Sequence, residues 1–205
     1  AVQETFAIGG SIRDIVFDGQ DFWVADHGNF TVRKLTPSGI IKGSFRVSQR
    51  PVSLAFDGVS IWVAGLEGNT ITRLALDGSI LGDFPVGIGP SAVLFDGEEV
   101  WVADNGQNSV TRLDKQGSSV TTYLVGRDPS ALNFDGQGLG VANAGDNTVT
   151  RLNRDSGVIG TYQVGVNPQA LAFDGQTMWV ANKGDGTVSR LSLNGTLLST
   201  FFVGG

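Results

Sequence analysis

Leu54-Ala55-Phe56-Asp57-Gly58, followed by Ile61-Trp62-Val63-Ala64, is the stretch that decides the fold, because close copies of it recur along the whole chain. The triplet Phe-Asp-Gly begins at residues 17, 56, 95, 134 and 173, a constant step of 39 residues without insertion or deletion. A fixed period of this length is typical of radial or stacked repeat proteins. The repeat therefore decides the architecture, and the function has to be sought where the repeat is broken.

Each repeat predicts four short β-strands, A to D, separated by turns. In the second repeat, strand A ends at Phe56, Asp57-Gly58 forms a turn, and strand B covers Ile61 to Ala64. Gly favours this turn because it tolerates positive φ, and Asp because it accepts hydrogen bonds from the backbone ahead of it. The continuous apolar run of strand B indicates burial on both faces. No segment keeps a helical period beyond two turns, so we expect no helix.

Strands C and D complete the repeat. Strand C is typified by Thr148 to Leu152 and strand D by Phe84-Pro85-Val86. Because proline has no N–H for a sheet ladder, strand D is expected at the edge of its sheet. Four antiparallel strands per repeat of about 40 residues are the pattern of a propeller blade, whereas a β-solenoid favours shorter repeats. We therefore predict an all-β protein, a five-bladed β-propeller with four antiparallel strands per 39-residue blade.

The two ends of the chain carry related sequences. Thr5 to Gly10 matches Thr200 to Gly205 at a displacement of 195 residues, which is five periods. Strand D is thus present twice, at residues 4–9 and 197–204. We predict one propeller domain over residues 1–205, with blades starting near 12, 51, 90, 129 and 168 and a ring closed by the duplicated outer strand. The alternative is a piece of a longer array, and in either case a spare strand edge suits self-association by strand exchange.

Composition narrows the classes of function. A net charge of −6 argues against nucleic-acid binding, which needs a basic face. No apolar stretch approaches the 18 residues of a membrane span, so we predict a soluble domain without membrane insertion. The absence of cysteine excludes disulfides and Cys-ligated zinc. A cysteine-free chain rich in Asn, Asp, Gly and Thr that starts at Ala1 fits an extracellular or periplasmic protein whose leader was removed, or a segment of a longer chain.

The repeat resembles those of known propeller families. In the second repeat, Pro51 to Leu74, Phe-Asp-Gly precedes Ile-Trp-Val-Ala and then Asn-Thr-Ile-Thr-Arg-Leu. This order is similar to that of bacterial YVTN/NHL-type propellers and of the streptogramin B lyase group. The resemblance implies a propeller fold that serves lyases, sensor domains and adhesive modules alike. The likeness to the lyases further implies a seven-bladed ring with a histidine base and acidic metal ligands, whereas this chain has five repeats and one histidine, His27.

Most constant positions have a structural explanation. The Trp residues at 23, 62, 101 and 179 are predicted to lie between blades, and Gly140 takes this place in the fourth blade, which predicts a gap or a compensating neighbour. The Asn and Asp residues of the B–C loops suit Asx turns better than a calcium site, so we predict neither a metal nor a cofactor. The Asp residues at 18, 57, 96, 135 and 174 are expected to pair with the cations at 34, 73, 112, 151 and 190.

The positions that break the repeat form the candidate site. The first blade differs most, and the loops around it bring together charged side chains, an aromatic ring and the imidazole of His27. Such a mixture suits ligand recognition, with sequence drift as the alternative. The B–C and D–A loops lie on one face of the propeller, called the loop face. Two further polar residues, Arg127 and Asp128, lie on the rim of this face. The candidate ligand-binding residues are Arg13, Asp14, His27, Phe30, Gln49, Arg50, Arg127 and Asp128.

No catalytic residue is predicted. Strand A offers one carboxylate, Asp14, where a propeller glycosidase needs two, and His27 has no orienting partner in the sequence. We therefore predict a non-catalytic binding or scaffolding module for a protein or glycan ligand. The alternatives are a structural subunit that assembles through an open strand edge and a lyase-like enzyme acting on a small cyclic or sugar substrate.

Overall fold

A computed structural model describes residues 5–204, which form five four-stranded antiparallel sheets, each with its strands in chain order. The only helical turn in this part of the chain is the 3₁₀ turn Asn105–Gln107, and no helix in it is long and apolar enough to cross a membrane. The strands are β1 Ile12–Phe17, β2 Phe22–Asp26, β3 Thr31–Leu35, β4 Ile41–Arg46, β5 Pro51–Phe56, β6 Ser60–Gly65, β7 Thr70–Ala75, β8 Ile80–Pro85, β9 Pro90–Phe95, β10 Val100–Asp104, β11 Ser109–Leu113, β12 Ser119–Leu124, β13 Pro129–Phe134, β14 Leu139–Asn143, β15 Thr148–Asn153, β16 Gly157–Gln163, β17 Pro168–Phe173, β18 Thr177–Asn182, β19 Thr187–Ser192 and β20 Leu197–Phe202.

The prediction of an all-β, five-bladed propeller architecture is confirmed. Strand B is the most buried of the four strands, and β6, β10 and β14 are buried along their whole length. This two-sided burial arises because each of these three sheets packs between the sheets before and after it. Strand D lies at the outer edge of every sheet, as the proline of β8 indicated, but β8 begins at Ile80 and ends at Pro85 rather than spanning residues 84–86.

The core consists of a series of similar clusters between consecutive blades. Trp23 of the first blade packs with Leu54, Ile61 and Leu74 of the second, and all four side chains are at most 6% exposed. Trp62 and Trp101 make the same kind of contact with the third and fourth blades. Burial of large side chains at this density is the main source of stability in such a fold.

The Asp-Gly turns hold strands A and B of each blade together. Asp57 accepts hydrogen bonds from the backbone N–H groups of Val59 (2.9 Å) and Ser60 (2.7 Å), while Gly58 has a φ of 93°. The same carboxylate accepts a bond from Nε1 of Trp62 at 2.8 Å. Equivalent Trp–Asp bonds recur in the first, third and fifth blades. The Asp of the repeat is therefore the link between the turn and the interblade core.

The predicted closure of the ring needs correction. The innermost strands pack in the order β1, β5, β9, β13 and β17, but within residues 5–204 no comparable packing joins β17 to β1. Ile15 on β1 is 59% exposed, whereas its counterpart Leu54 on β5 is 6% exposed. The five blades thus form an open arc.

The physical reason lies in the two copies of strand D. The second copy, β20, pairs with β19 and completes the fifth blade from its own repeat. The first copy forms no strand over residues 5–9, and Glu4, where it was predicted to begin, lies outside the described residues. Because the outer position of the fifth blade is already filled, the first copy has no place in that sheet.

Candidate functional site

The starts of the five inner strands surround a cavity of about 490 Å³ on the propeller axis. The second residue of each inner strand lines it, so one column of the repeat contributes from every blade. In this column the repeat supplies five side chains of four different types. These residues are Arg13, Val52, Ser91, Ser130 and Gln169.

The loops between strands B and C form the wall of this axial cavity. Leu66, Asn105 and Ala144, which again share one column of the repeat, line it, and Asp128 joins them from a D–A loop. Strand B ends where strand A begins, because the two strands are antiparallel neighbours with Pro90 opposite Asp104. The loop face therefore gathers the repeat-breaking residues.

Several polar groups of the axial cavity are already engaged. The hydroxyl of Ser91 bonds the carbonyl of Pro129 at 2.6 Å, and that of Ser130 bonds the carbonyl of Pro168 at 2.8 Å, so both link neighbouring blades. In contrast, the exposed side chain of Arg13 forms no hydrogen bond or ion pair with residues 5–204. Among the described residues, the cavity thus combines the unbonded guanidinium of Arg13 with apolar wall residues.

A second group of repeat-breaking residues, the Phe30 cluster, lies next to the cavity wall and comprises Phe30, Arg46, Arg50 and Glu67. The guanidinium carbons of Arg46 and Arg50 lie 5.8 and 5.1 Å from the centre of the Phe30 ring. Arg50 also forms an ion pair with Glu67 at 3.3 Å, next to Leu66 of the cavity. Cations also lie over the Trp rings of four blades, so the Phe30 cluster differs from those contacts in its position on the loop face rather than in its chemistry.

The backbone at Phe30 is strained. Its φ is 57°, in the left-handed region that a bulky side chain rarely adopts. The corresponding positions of the third and fourth blades are Asn108 and Asn147, also at positive φ, and that of the fifth is Gly186. Asn and Gly tolerate this conformation, so Phe30 is kept here at a cost in stability.

Two predicted site residues have structural partners. Asp14 accepts a hydrogen bond from the backbone N–H of Leu54 at 2.7 Å, and so links the first inner strand to the second. Gln49 donates from Nε2 to the hydroxyl of Thr70 at 2.8 Å. The structure thus places both side chains in contacts between neighbouring segments rather than in the cavity.

The remaining predicted residues lie elsewhere on the loop face. His27 is half-buried. Its backbone N–H donates to the carbonyl of Ser11 at 2.9 Å, and its side-chain Nδ1 has no partner within the described residues. Arg127 is exposed and pairs with Asp146 at 2.6 Å, which raises the pKa of Arg127 and lowers that of Asp146. Neither residue lines the axial cavity, whereas Asp128 does.

The predicted ion pairs on the opposite face form only in part. Asp18 lies 3.8 Å from Lys34, Asp57 lies 3.2 Å from Arg73, and Asp135 lies 2.6 Å from Arg151. In the third blade, Asp96 pairs instead with Arg154 of the fourth blade at 2.7 Å. Arg190 bonds the hydroxyl of Thr177 at 3.0 Å. These carboxylates serve the fold and leave the loop face as the candidate site.

The gap predicted at Gly140 has a compensating neighbour. The terminal carbon of Met178 lies 3.0 Å from where a Cβ of residue 140 would stand, and a cavity of only about 20 Å³ remains beside it. Met is flexible enough to fill such irregular space. The other blades have Phe22, Ile61, Val100 and Leu139 where the fifth has Met178.

The Asp and Asn oxygens considered for calcium are engaged with protein groups. Asp26 binds Arg33 and the N–H of Ser11, and Asp185 binds the N–H of Val166 at 2.8 Å. Burial raises the pKa of Asp104 to about 6, although bonds from Thr111, from the N–H of Gly87 and from Ser109 favour its charged form. Within residues 5–204 no group of three or more His, Asp or Glu side chains is placed to hold a metal ion.

Comparison with known proteins identifies the fold alone. No protein-family model and no curated protein matches the chain. A streptogramin B lyase structure matches with a TM-score of 0.83 and 19% identity, covering 95% of this chain and 69% of the lyase. A catalytically inactive variant of virginiamycin B lyase from Staphylococcus aureus with quinupristin matches at 0.81 and 21%, covering 95% and 70%. A protein from Desulfotomaculum acetoxidans described as functionally unknown matches at 0.82 and 15%, covering 96% and 72%.

Proposed function

We propose that this chain is a non-catalytic binding module that holds a protein or glycan ligand on its loop face, in the extracellular space or periplasm. The observation that carries the proposal is the convergence of repeat-breaking side chains on the axial cavity of about 490 Å³. Repeated residues build the blades, and the departures from the repeat that line the axial cavity are proposed to face the ligand.

The second support is the strain at Phe30. A residue in an unfavourable backbone conformation is kept where it serves a function that a relaxed residue would not supply. Asn stands at this position in three other blades, as Asn69, Asn108 and Asn147. The aromatic ring at residue 30 therefore has a role other than forming the turn.

The chemistry of the loop face defines the class of ligand. The guanidinium of Arg13 has no partner within residues 5–204, and a guanidinium can bind a carboxylate by two parallel hydrogen bonds. The Phe30 ring offers a flat apolar surface for the C–H face of a sugar or for a peptide side chain. Val52, Leu66 and Ala144 add apolar wall around the axis. An acidic glycan or an acidic peptide satisfies all three features.

The experiment is a paired screen of glycan and peptide arrays that include uronic-acid glycans and Asp/Glu-rich peptides. We expect a hit whose affinity falls about tenfold or more in Arg13→Ala and in Phe30→Asn. Phe202→Asn, an equivalent change at the outer edge of the fifth blade, is the matched control and retains binding. Absence of any hit, or hits that both loop-face variants bind unchanged, would contradict the proposal.

Lyase-like activity is the second candidate, favoured by the match to the lyase structures and by Nδ1 of His27, which has no partner within residues 5–204. Incubation with quinupristin, the compound in the virginiamycin B lyase structure, tests it by mass spectrometry. Turnover that is lost in His27→Ala would replace the binding proposal. Under the binding proposal, quinupristin stays intact.

A further inference from the structure

A second cavity, of about 460 Å³, lies on the face opposite the loop face, between the third and fourth blades. The A–B turns of both blades and the C–D turn of the fourth blade enclose it. Its volume lies within the range of sites for small ligands. The charged and aromatic residues that line it are Asp96, Glu98, Phe134, Arg154 and Asp155.

The Phe134 ring lacks the cation that covers its counterpart in the preceding blade. In the third blade, Nζ of Lys115 lies 5.2 Å from the centre of the Phe95 ring. One period later, Arg154 stands in the place of Lys115 and Phe134 in that of Phe95. Within residues 5–204, however, no cation lies over Phe134, and its ring lines the cavity instead. The cavity therefore leaves room for a cation from outside the chain.

The side chain of Arg154 does not cover Phe134 because it binds carboxylates of the third blade. Its guanidinium donates to Asp96 at 2.7 Å, pairs with Glu98 and lies 3.2 Å from Glu99. The pair Glu98-Glu99 occurs in this repeat alone, since the other repeats have Gln-Asp, Val-Ser, Gln-Gly and Gln-Thr at the same place. The same departure from the repeat thus holds Arg154 and leaves the ring uncovered.

The lining of this cavity carries an excess of negative charge. Three carboxylates and one guanidinium line it, and the guanidinium is already paired. Burial acts to raise the pKa of Asp96, but bonds from Arg154 and from the N–H of Glu99 outweigh it and lower that pKa below its ordinary value. The carboxylate of Asp155 is exposed and forms no hydrogen bond or ion pair within the described residues. An aromatic face and carboxylates both attract an ammonium group.

We propose that this cavity binds a primary ammonium group, with Phe134 as the aromatic contact and Asp155 as the carboxylate partner. The bound cation takes the place beside Phe134 that Nζ of Lys115 takes over Phe95. The ammonium group belongs to a free aliphatic amine or to a lysine side chain of another protein. The site is separate from the axial cavity and does not depend on the ligand proposed for the loop face.

Trp101 reports on this site, because its Nε1 donates to Asp96 at 2.8 Å and Asp96 lines the cavity. The indole N–H signals of the four Trp residues are followed by NMR at pH 7 and constant ionic strength. The added probes are butylamine, the Nα-acetyl N-methylamide of lysine, and 1-butanol as the uncharged control. The Trp101→Phe variant assigns the reporter signal.

We expect both amines to shift the Trp101 signal in a saturable manner, with a Kd in the millimolar range, while the other three signals stay in place. Butanol should have no effect at the same concentration. Phe134→Leu should weaken amine binding about threefold or more, and Asp155→Asn about two- to fivefold. Asp77→Asn, the same exchange at the equivalent turn position of the second blade, is the matched control and should leave the affinity unchanged.

The two amines also distinguish the source of the ammonium group. Tighter binding of the lysine derivative supports the site with a protein lysine as its ligand, and tighter binding of butylamine supports it with a free amine. Absence of a saturable shift at Trp101 with either amine would overturn the proposal, as would an equal response to butanol. An affinity that Phe134→Leu and Asp155→Asn both leave unchanged would overturn it too. If Phe134→Leu does not fold, Asp155→Asn in its exposed turn decides alone.

Discussion

Replacing Asp104 with asparagine should stabilise the protein and remove a defined part of its pH dependence. Asp104 is fully buried and accepts bonds from the hydroxyl of Thr111 (2.7 Å) and the N–H of Gly87 (3.0 Å). The fourth and fifth blades have Asn143 and Asn182 at this position, and Nδ2 of each donates to the equivalent hydroxyl at 2.9 Å. Asparagine therefore fits the site by the precedent of two other blades.

The magnitude follows from the pKa. The carboxyl of Asp104 has a pKa of about 6 in the folded protein, against an ordinary value of 3.8. The folded state holds the proton more tightly than the unfolded chain, so ionisation costs stability as the pH rises. A difference of about two pKa units corresponds to about 3 kcal/mol, which is lost between about pH 4 and pH 6. The Asp104→Asn variant should then gain about 1–3 kcal/mol at pH 7 and almost nothing at pH 4.

The assay is urea unfolding followed by tryptophan fluorescence at several pH values between 4 and 7.5, with the difference between variant and wild type as the quantity of interest. Taking the difference removes the pH dependence of the other carboxylates. Asp26→Asn is the matched control in the same column. Because bonds from Asn29 and Ser11 and the charge of Arg33 lower the pKa of Asp26 despite its burial, its contribution to stability is lost only below about pH 3.8, and its replacement should cost nearly the same stability throughout the range from pH 4 to 7.5. An Asp104→Asn effect that is equal at both pH values, or a loss at pH 7, would refute the argument.

Three further predictions follow from the same contacts. Leu54→Ala should lower the free energy of unfolding in the urea assay by about 2–5 kcal/mol, whereas Ile15→Ala at the open end of the arc should lower it by less than about 1 kcal/mol. Equal losses would show that the ring closes in solution. Gly140→Trp combined with Met178→Val should restore the interblade contact of the other blades, including a Trp bond to Asp135. The free energy of unfolding should then rise by about 1–3 kcal/mol. No gain over Met178→Val alone would show that the fourth blade cannot accept the indole ring. Asp57→Ala should lower the free energy of unfolding by about 2–4 kcal/mol, because Trp62 Nε1 and the N–H of Ser60 lose their acceptor in the core. Asp77→Ala in an exposed turn should have little effect. Similar effects of the two changes would contradict a structural role for Asp57.

The blade architecture could be predicted from the sequence because each repeat contains the local signals that specify its strands and turns. The Asp57-Gly58 turn, the apolar run of strand B and the proline of strand D are local signals, and five copies reinforce one another. The bond from Trp62 to Asp57 was not predicted, although both residues recur at a constant spacing of five. The constant spacing of the pair was the signal that could have revealed it.

The closure of the ring could not be predicted, because the period fixes the blade and not the rotation between blades. That rotation depends on how side chains such as Trp23 and Leu54 interlock, which is a property of packing volume rather than of pattern. The duplicated strand D was consistent with five blades or more. The exposed fractions of Ile15 and Phe201 decide the question for the described residues.

The candidate site could be predicted only as a face of the molecule, for a reason that Arg13 and Asp14 make clear. These residues are neighbours on one strand, yet Arg13 lines the axial cavity while Asp14 bonds the adjacent inner strand, and a shift of register between Ile12 and Asp14 interrupts the regular alternation of side chains there. A break in the repeat shows that a position is special, but not whether its side chain is used by the neighbouring blade or left for a ligand. Phe30 offers a way to separate the two cases, because its strained backbone is one that asparagine tolerates at the same position of the third and fourth blades. Phe30→Asn should accordingly raise the stability and lower ligand binding, and a drop in both would assign the ring to the fold.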